Sequence, residues 1–493
     1  MGSIFTDILG RTVGLDRPFI LGRASLRFGE LLAEVDRICA ALGGDGRLNG
    51  ARVAVCFDQG PDYLASLLGI RKAGGVVVPL APQWTPAEQQ RVIVRSEARF
   101  ALADMPAVGT VAPRAVASVG RDSLLLTLSP SEETAAEPGD AVIIFTSGTT
   151  GEPKGVVLTE AGLSANVRAV ASYLGLQAED ASPIFTPPCY AYSISQNLVH
   201  AWVGASILPV ATGLKLPAEL LRQIGELGLT GVSANPTAFR LLCAQPGGAA
   251  LPSVRYVMTG GQPLSLQLVT QMERLFPRAR VCNMYGCTEN GPRISYFWLD
   301  GRRGRDVTDH HAVGVPVEGT ELRLVDGTGQ PVPAGESGEI LVTGTSLMSR
   351  YWKDPAGTND RLRAGWLHTR DMGYVDSTGL LFLTGRANTL INVGNQKVSP
   401  EEVEQVLSGA PGVVEAAVYG VADPVTGEAV AALVVVEGAF DVAALQRHCR
   451  GLLSSHKVPS RIEAVAGLPK TLYGKIDRKA LAARGKSGAN PSV

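Results

Sequence analysis

The run Thr146-Ser147-Gly148-Thr149-Thr150-Gly151-Glu152-Pro153-Lys154-Gly155 gathers hydroxyls, glycines and one ammonium into a single loop. It follows Ala141-Val142-Ile143-Ile144-Phe145, an apolar run that reads as a buried strand. Glycines let backbone N–H groups turn toward an anion, and the hydroxyls and Lys154 supply further donors. That combination suits a polyphosphate. The loop is not a Walker A motif, because Lys154 is followed by Gly155 rather than Ser or Thr and the glycine spacing differs.

Further along the chain come Gly260-Gly261-Gln262-Pro263-Leu264, Tyr285-Gly286-Cys287-Thr288-Glu289 and Gly338-Glu339-Ile340. Gly365-Trp366-Leu367-His368-Thr369-Arg370-Asp371, Gly385-Arg386 and Pro469-Lys470-Thr471-Leu472-Tyr473-Gly474-Lys475-Ile476-Asp477-Arg478 follow. In this order the motifs resemble those of the adenylate-forming superfamily of acyl-CoA synthetases, peptide-synthetase adenylation domains and luciferases. The resemblance covers residues 20 to 480. It implies ATP and Mg²⁺ as cofactors and an α/β fold: a large N-terminal domain of layered α/β subdomains with a small β-rich subdomain, and a small mobile C-terminal α+β domain.

Activating a carboxylate with ATP brings two anions together, so cations and donors must offset the charge on the departing pyrophosphate. The resemblance assigns the β- and γ-phosphates to Thr146, Ser147, Gly148, Thr149, Thr150 and Lys154. It gives Glu289 to Mg²⁺ and the Thr288 hydroxyl to the α-phosphate; a single carboxylate beside phosphates is a common way to hold Mg²⁺. Tyr285, next to Gly286, is expected to stack on adenine, with the backbone of Gly260, Gly261 and Gln262 at the base edge. Asp371 is expected to accept the ribose hydroxyls, with Arg386 as a second ribose or phosphate contact. Lys475 resembles the lysine that stabilises the pentavalent phosphorus, and Asn388 stands at the pivot of the small domain.

Three positions depart from the family pattern. Tyr190, in Pro187-Pro188-Cys189-Tyr190, replaces the usual pocket His and suits a flat or apolar substrate. Arg370 replaces the Gly of Thr-Gly-Asp, facing either ligand or solvent. Asn395 stands where relatives using pantetheine thiols carry Gly, or else the register shifts onto Gly394; a side chain there would obstruct the thiol arm. Tyr190, Tyr192, Ser193, Asn235, Gly260, Cys287 and Arg293 belong to segments that border the acyl pocket in relatives, and Arg293 stands either at the surface, the favoured reading, or paired with a substrate anion.

The expected partners are a small aromatic or cyclic carboxylic acid and an acceptor, either an amine, giving an amide, or a thiol of CoA or a carrier protein. Diazotising nitrite adenylation and non-catalytic nucleotide sensing are the remaining alternatives. Oligomeric state is not legible.

Around these motifs, strand-like and amphipathic helical runs alternate, as α/β layering requires. Arg52–Phe57 and Gly75–Leu80 read as strands, Pro61–Lys72 and Glu160–Leu174 as helices, and Val254–Thr259 as a strand. From Glu318 to Gly344 short β segments are broken by Gly and Pro. Ser399-Pro400-Glu401-Glu402 is a helix start. Strands at Val413–Val421 and Ala429–Val436 and a helix at Asp441–Leu453 complete a second unit. The expected division is an N-terminal AMP-binding domain over 1–386, a hinge at 387–388, a mobile domain over 389–484 and a disordered tail over 485–493.

A length of 493 residues calls for more than one core, and 45% hydrophobic with 18% charged residues is ordinary for a globular enzyme. A net charge of −1 without a basic run argues against nucleic acid or anionic membrane partners. The seven cysteines lack Cys-x-x-Cys spacing, which speaks against a zinc site and for reduced thiols in a cytoplasmic setting. The first residues lack the pattern of a signal peptide.

Overall fold

The computed structural model describes residues 3–22, 25–104, 115–119, 123–128, 135–146, 153–210, 216–245, 249–299, 312–386, 389–394, 396–470 and 476–487. Among these, the strands form sheets of eight, ten, four and five. In the eight-stranded sheet Arg52–Cys56 and Val76–Pro79 run parallel and are buried throughout, as continuous apolar runs in a covered sheet should be. Asp140–Thr146 joins them in parallel and then turns back antiparallel into Lys154–Thr159, with Thr146 opposite Lys154. The two ends of the Thr146–Gly155 loop are thereby fixed by sheet hydrogen bonds; Ser147, Gly148, Thr149 and Thr150 lie outside the described residues.

Helix Glu160–Leu174 begins where the Thr159 hydroxyl accepts from Gly162 N–H at 3.1 Å and ends at Gly175, left-handed at φ +56°. In the ten-stranded sheet Gly231–Ala234, Tyr256–Gly260 and Arg280–Tyr285 run parallel, and Ser295–Trp298 returns antiparallel. The same sheet continues through Ala312–Pro316, Leu381–Arg386, Trp366–Val375, Gly338–Gly344 and Thr320–Val325, all antiparallel. The short β segments read between Glu318 and Gly344 are two of these strands. One path of hydrogen bonds thus links the Tyr285 motif to Asp371 and Arg386.

The C-terminal domain has its own core, with Ile391, Val403, Leu407, Val418, Val434 and Ile462 buried together. Ser399 caps helix Pro400–Ser408 by accepting from Glu402 N–H at 3.4 Å, and Asp441 caps Val442–Leu452. Strands Val413–Asp423 and Gly427–Val436 pair antiparallel. Helix Arg478–Ser487 crosses the expected boundary at 484 by three residues, and residues 488–493 lie outside the described residues. Leu481, 1% exposed, packs with Ala417 and Tyr419, and Arg484 meets Glu463 at 2.6 Å, which holds the helix against the domain.

Helix Pro400–Ser408 starts against the end of strand Leu381–Arg386. A Cβ on Gly385 would fall 2.2 Å from Ser399 Oγ. All seven cysteines are free thiols, and among the described residues no helix is long and apolar enough to cross a membrane.

Candidate active site

Asp371 lies in strand Trp366–Val375 with only 6% of its surface exposed, directly opposite Arg386 in the register with Leu381–Arg386. Its Oδ1 accepts from Arg386 Nε at 2.8 Å and its Oδ2 from the Tyr285 hydroxyl at 2.6 Å. Its own N–H donates to Thr369 Oγ1, which donates in turn to the Ile340 carbonyl at 2.7 Å. Burial, and then the charge of Asp371, push the Tyr285 phenol well above its ordinary range, so it remains a donor at any working pH. The carboxylate is therefore oriented by two donors while each oxygen retains a lone pair for a ligand hydroxyl. The ring expected to stack on adenine belongs to a Tyr285 that is 6% exposed.

A second cluster surrounds Glu289, in the short turn Thr288–Asn290. Tyr351 donates its hydroxyl to Glu289 Oε1 at 2.8 Å, and Arg361 lies 4.0 Å from the same oxygen. Lys154 sits over the Tyr351 ring at 5.0 Å and pairs loosely with Asp354 at 3.6 Å. The loop lysine and the motif glutamate thus share Tyr351 as a neighbour. Burial first, then Glu289, raise the Tyr351 phenol, keeping it a donor. Among the described residues no group of three or more His, Cys, Asp or Glu could hold a metal alone. One carboxylate that shares Tyr351 as a neighbour with Lys154 fits Mg²⁺, which keeps waters and takes few protein oxygens. Glu289 would hold the ion, whose charge would offset that of the phosphates.

Two glycines are required by close backbone approach. A Cβ on Gly260 would fall 2.4 Å from the Met284 carbonyl oxygen, and one on Gly286 would fall 1.8 Å from that of Pro292. Gly261 has φ +79°, and Gln262 Oε1 accepts from Thr237 Oγ1 at 2.9 Å. Cys287 lies between Glu289 and Asp371; burial and these two charges hold its thiol well above the ordinary range.

The pocket candidates divide. Asn235 is the N-cap of helix Pro236–Cys243, its Oδ1 accepting from Ala238 N–H at 2.8 Å. Ser193 is buried and accepts from Gln59 Nε2, while Tyr190 forms the N-terminal boundary of helix Ala191–Val203. Arg293 corrects the surface expectation: it is fully buried, with its guanidinium 4.0 Å from the Tyr192 ring centroid. Its backbone cannot reach solvent, because Gly286 lies against it and Asn290 Nδ2 donates to its carbonyl at 2.9 Å. Arg370 turns away from Asp371 to pair with Asp360 at 2.9 Å, and its backbone is left-handed at φ +63°, the region a glycine would occupy freely. Asn388, Asn395 and Lys475 lie outside the described residues.

The sequence reading missed Tyr351, Thr369 and Arg361, which no periodicity marks as a group. It also missed a legible feature: Tyr192, Gln196 and His200 recur every four residues along Ala191–Val203, a polar stripe on a helix that is buried nearly throughout. Both Gln196 amide atoms and His200 Nε2 have no hydrogen-bond partner among the described residues.

Residues 11–352 match the family described as AMP-binding enzyme, and residues 402–475 match the AMP-binding enzyme C-terminal domain. A feruloyl-CoA synthase from Amycolatopsis sp is 32% identical over 92% of this chain and 93% of its own length. ATP-bound MatB from Rhodopseudomonas palustris superposes with a TM-score of 0.84 at 26% identity, covering 99% of this chain and 100% of that one. The amide bond synthetase McbA from Marinactinospora thermotolerans gives a TM-score of 0.83 at 27% identity, over 98% and 100%.

Proposed function

The chain belongs to the family of AMP-binding enzymes, and we propose that this ATP-dependent, AMP-forming acid ligase activates a small aromatic or cyclic carboxylic acid and passes its acyl group to an amine. In the first step a carboxylate oxygen attacks the α-phosphorus. A C(O)–O–Pα linkage forms, the Pα–O–Pβ bond breaks, and pyrophosphate leaves. Asp371, held by Tyr285 and Arg386, is the ribose acceptor in this reading. Lys154 and the loop from Thr146 to Thr150 hold the β- and γ-phosphates, Thr288 the α-phosphate, and Lys475 the charge that builds at phosphorus. Gly260, Gly261 and Gln262 border the base, and the small domain pivots at Asn388 between half-reactions.

The observation that carries the amine is Asn395, a side chain where thiol-using relatives have Gly. Tyr190 in place of His and the likeness to an amide bond synthetase support the same choice. A second reading, transfer to the thiol of CoA, is favoured by the likeness to a feruloyl-CoA synthase. Mass spectrometry decides between them. Reactions with ATP, Mg²⁺ and aryl or cyclic acids are run with CoA or with mixed amino acids. An amide without thioester supports the proposal; an acyl-CoA without amide overturns it.

A further inference from the structure

Arg293 is fully buried, and among the described residues its guanidinium meets no carboxylate, only the Tyr192 ring and the Tyr173 phenol. Its position follows from the chain: four residues after Glu289 it stands two residues before strand Ser295–Trp298, where a Cβ on Gly286 would fall 3.2 Å from its Cα. The guanidinium points across to helix Ala191–Val203, over the Tyr192 ring, and also faces the Tyr173 phenol by charge and hydrogen bond. Tyr173 donates its own proton to Met258 Sδ at 3.2 Å and stacks on Tyr296 with 4.3 Å between ring centroids. Aromatic faces attract a guanidinium but do not satisfy its five in-plane N–H donors. A buried cation without a counter-charge is costly, and a cation–π contact offsets only part of that cost.

The helix that carries Tyr192 holds further buried polar groups. Both amide atoms of Gln196, one helical turn beyond Tyr192, are buried with no hydrogen-bond partner among the described residues. The cluster lies beyond Gly286 from the Asp371 frame, on the side where the acid enters in the reading proposed above, on which this inference rests. We infer that Arg293 is the receptor for a second anionic group on the substrate, so that the enzyme activates acids bearing a carboxylate or sulfonate remote from the reacting carboxyl. The planar fork of Arg matches either oxyanion in a bidentate manner, with Tyr192 and Gln196 as accessory donors.

The test uses acids in pairs that differ only in the second anion: benzoate against isophthalate and 3-sulfobenzoate, and butanoate against glutarate. Pyrophosphate release gives kcat/KM, and hydroxylamine trapping confirms the adenylate. The wild-type chain is expected to prefer the dianionic member of at least one pair, with Arg293→Met lowering kcat/KM for that acid about 100-fold and collapsing the preference. Arg293→Lys, which keeps the charge without the fork, is expected to fall between them. ATP binding by equilibrium dialysis reports whether each variant is folded, and the wild-type pair ratios stand even if a variant is not. A wild-type preference for the monoanion in every pair, or equal losses on both members in Arg293→Met, overturns the inference. Adenylate from no acid at all would instead overturn the ligase reading beneath it.

Discussion

Replacing Tyr285 with Phe removes one oxygen from the most enclosed part of the site. That oxygen donates to Asp371 Oδ2 at 2.6 Å, and both groups are 6% exposed. The other donor on Asp371, Arg386, has a side chain 62% exposed, so water and salt weaken its hold. The phenol is therefore the stronger of the two restraints on the carboxylate. A hydrogen bond to a charged group contributes about 1.5–3 kcal/mol, which corresponds to roughly 10- to 150-fold in an equilibrium or a rate. Most of that is expected in kcat/KM for ATP, since Asp371 would retain its charge but lose its fixed direction. Steady-state pyrophosphate release at varied ATP measures it, with Asp371→Asn as the comparison that removes the charge itself and is expected to lose more. If Tyr285→Phe stays within threefold of wild type while Asp371→Asn does not, the tyrosine hydroxyl is not what orients the carboxylate.

Lys475→Ala is expected to slow adenylation about 10²–10³-fold, the effect of losing one preorganised donor, with little change in ATP affinity by dialysis. Arg370→Gly removes a left-handed non-glycine residue but also its pairing with Asp360, so adenylation should stay within about threefold and stability within about 1 kcal/mol in urea unfolding. Glu404 gives a pH signature in the C-terminal domain. Burial pushes its carboxyl up to about 7 although Arg478 donates to both its oxygens. The folded chain then binds this proton more tightly than the unfolded chain, so this contribution to stability is full below the ordinary Glu range near 4.5 and is lost as pH rises toward 7. Urea midpoints measured across that window should fall with pH in the wild type relative to Glu404→Gln; parallel curves would contradict the assignment.

Local chemistry made much of the architecture legible. Arg52–Cys56 and Val76–Pro79 are continuous apolar runs, and only a covered parallel sheet takes such runs without exposing either face. Helix Glu160–Leu174 was bounded by Thr159 and Gly175, whose capping roles depend on nearest neighbours alone. The phosphate loop, Glu289, Asp371 and Arg386 were recognisable because their motifs are short and contiguous.

Contacts between distant segments carried no such mark. Tyr351 reaches Glu289 across 62 residues and Tyr285 reaches Asp371 across 86, and neither distance has a period in the sequence. Helix Arg478–Ser487 carries little periodicity of its own, yet Leu481 and Arg484 found partners on neighbouring strands. Arg293 shows the division most sharply. Its charge alone placed it at the surface, because solvation is the default for a guanidinium. What encloses it is the approach of Gly286 to Pro292 and Arg293 and the packing of Tyr192 above it. Residue type determined which reaction the chain is equipped to start; the crossing of strands and helices decided which charge was enclosed among aromatic rings, with no carboxylate on it among the described residues.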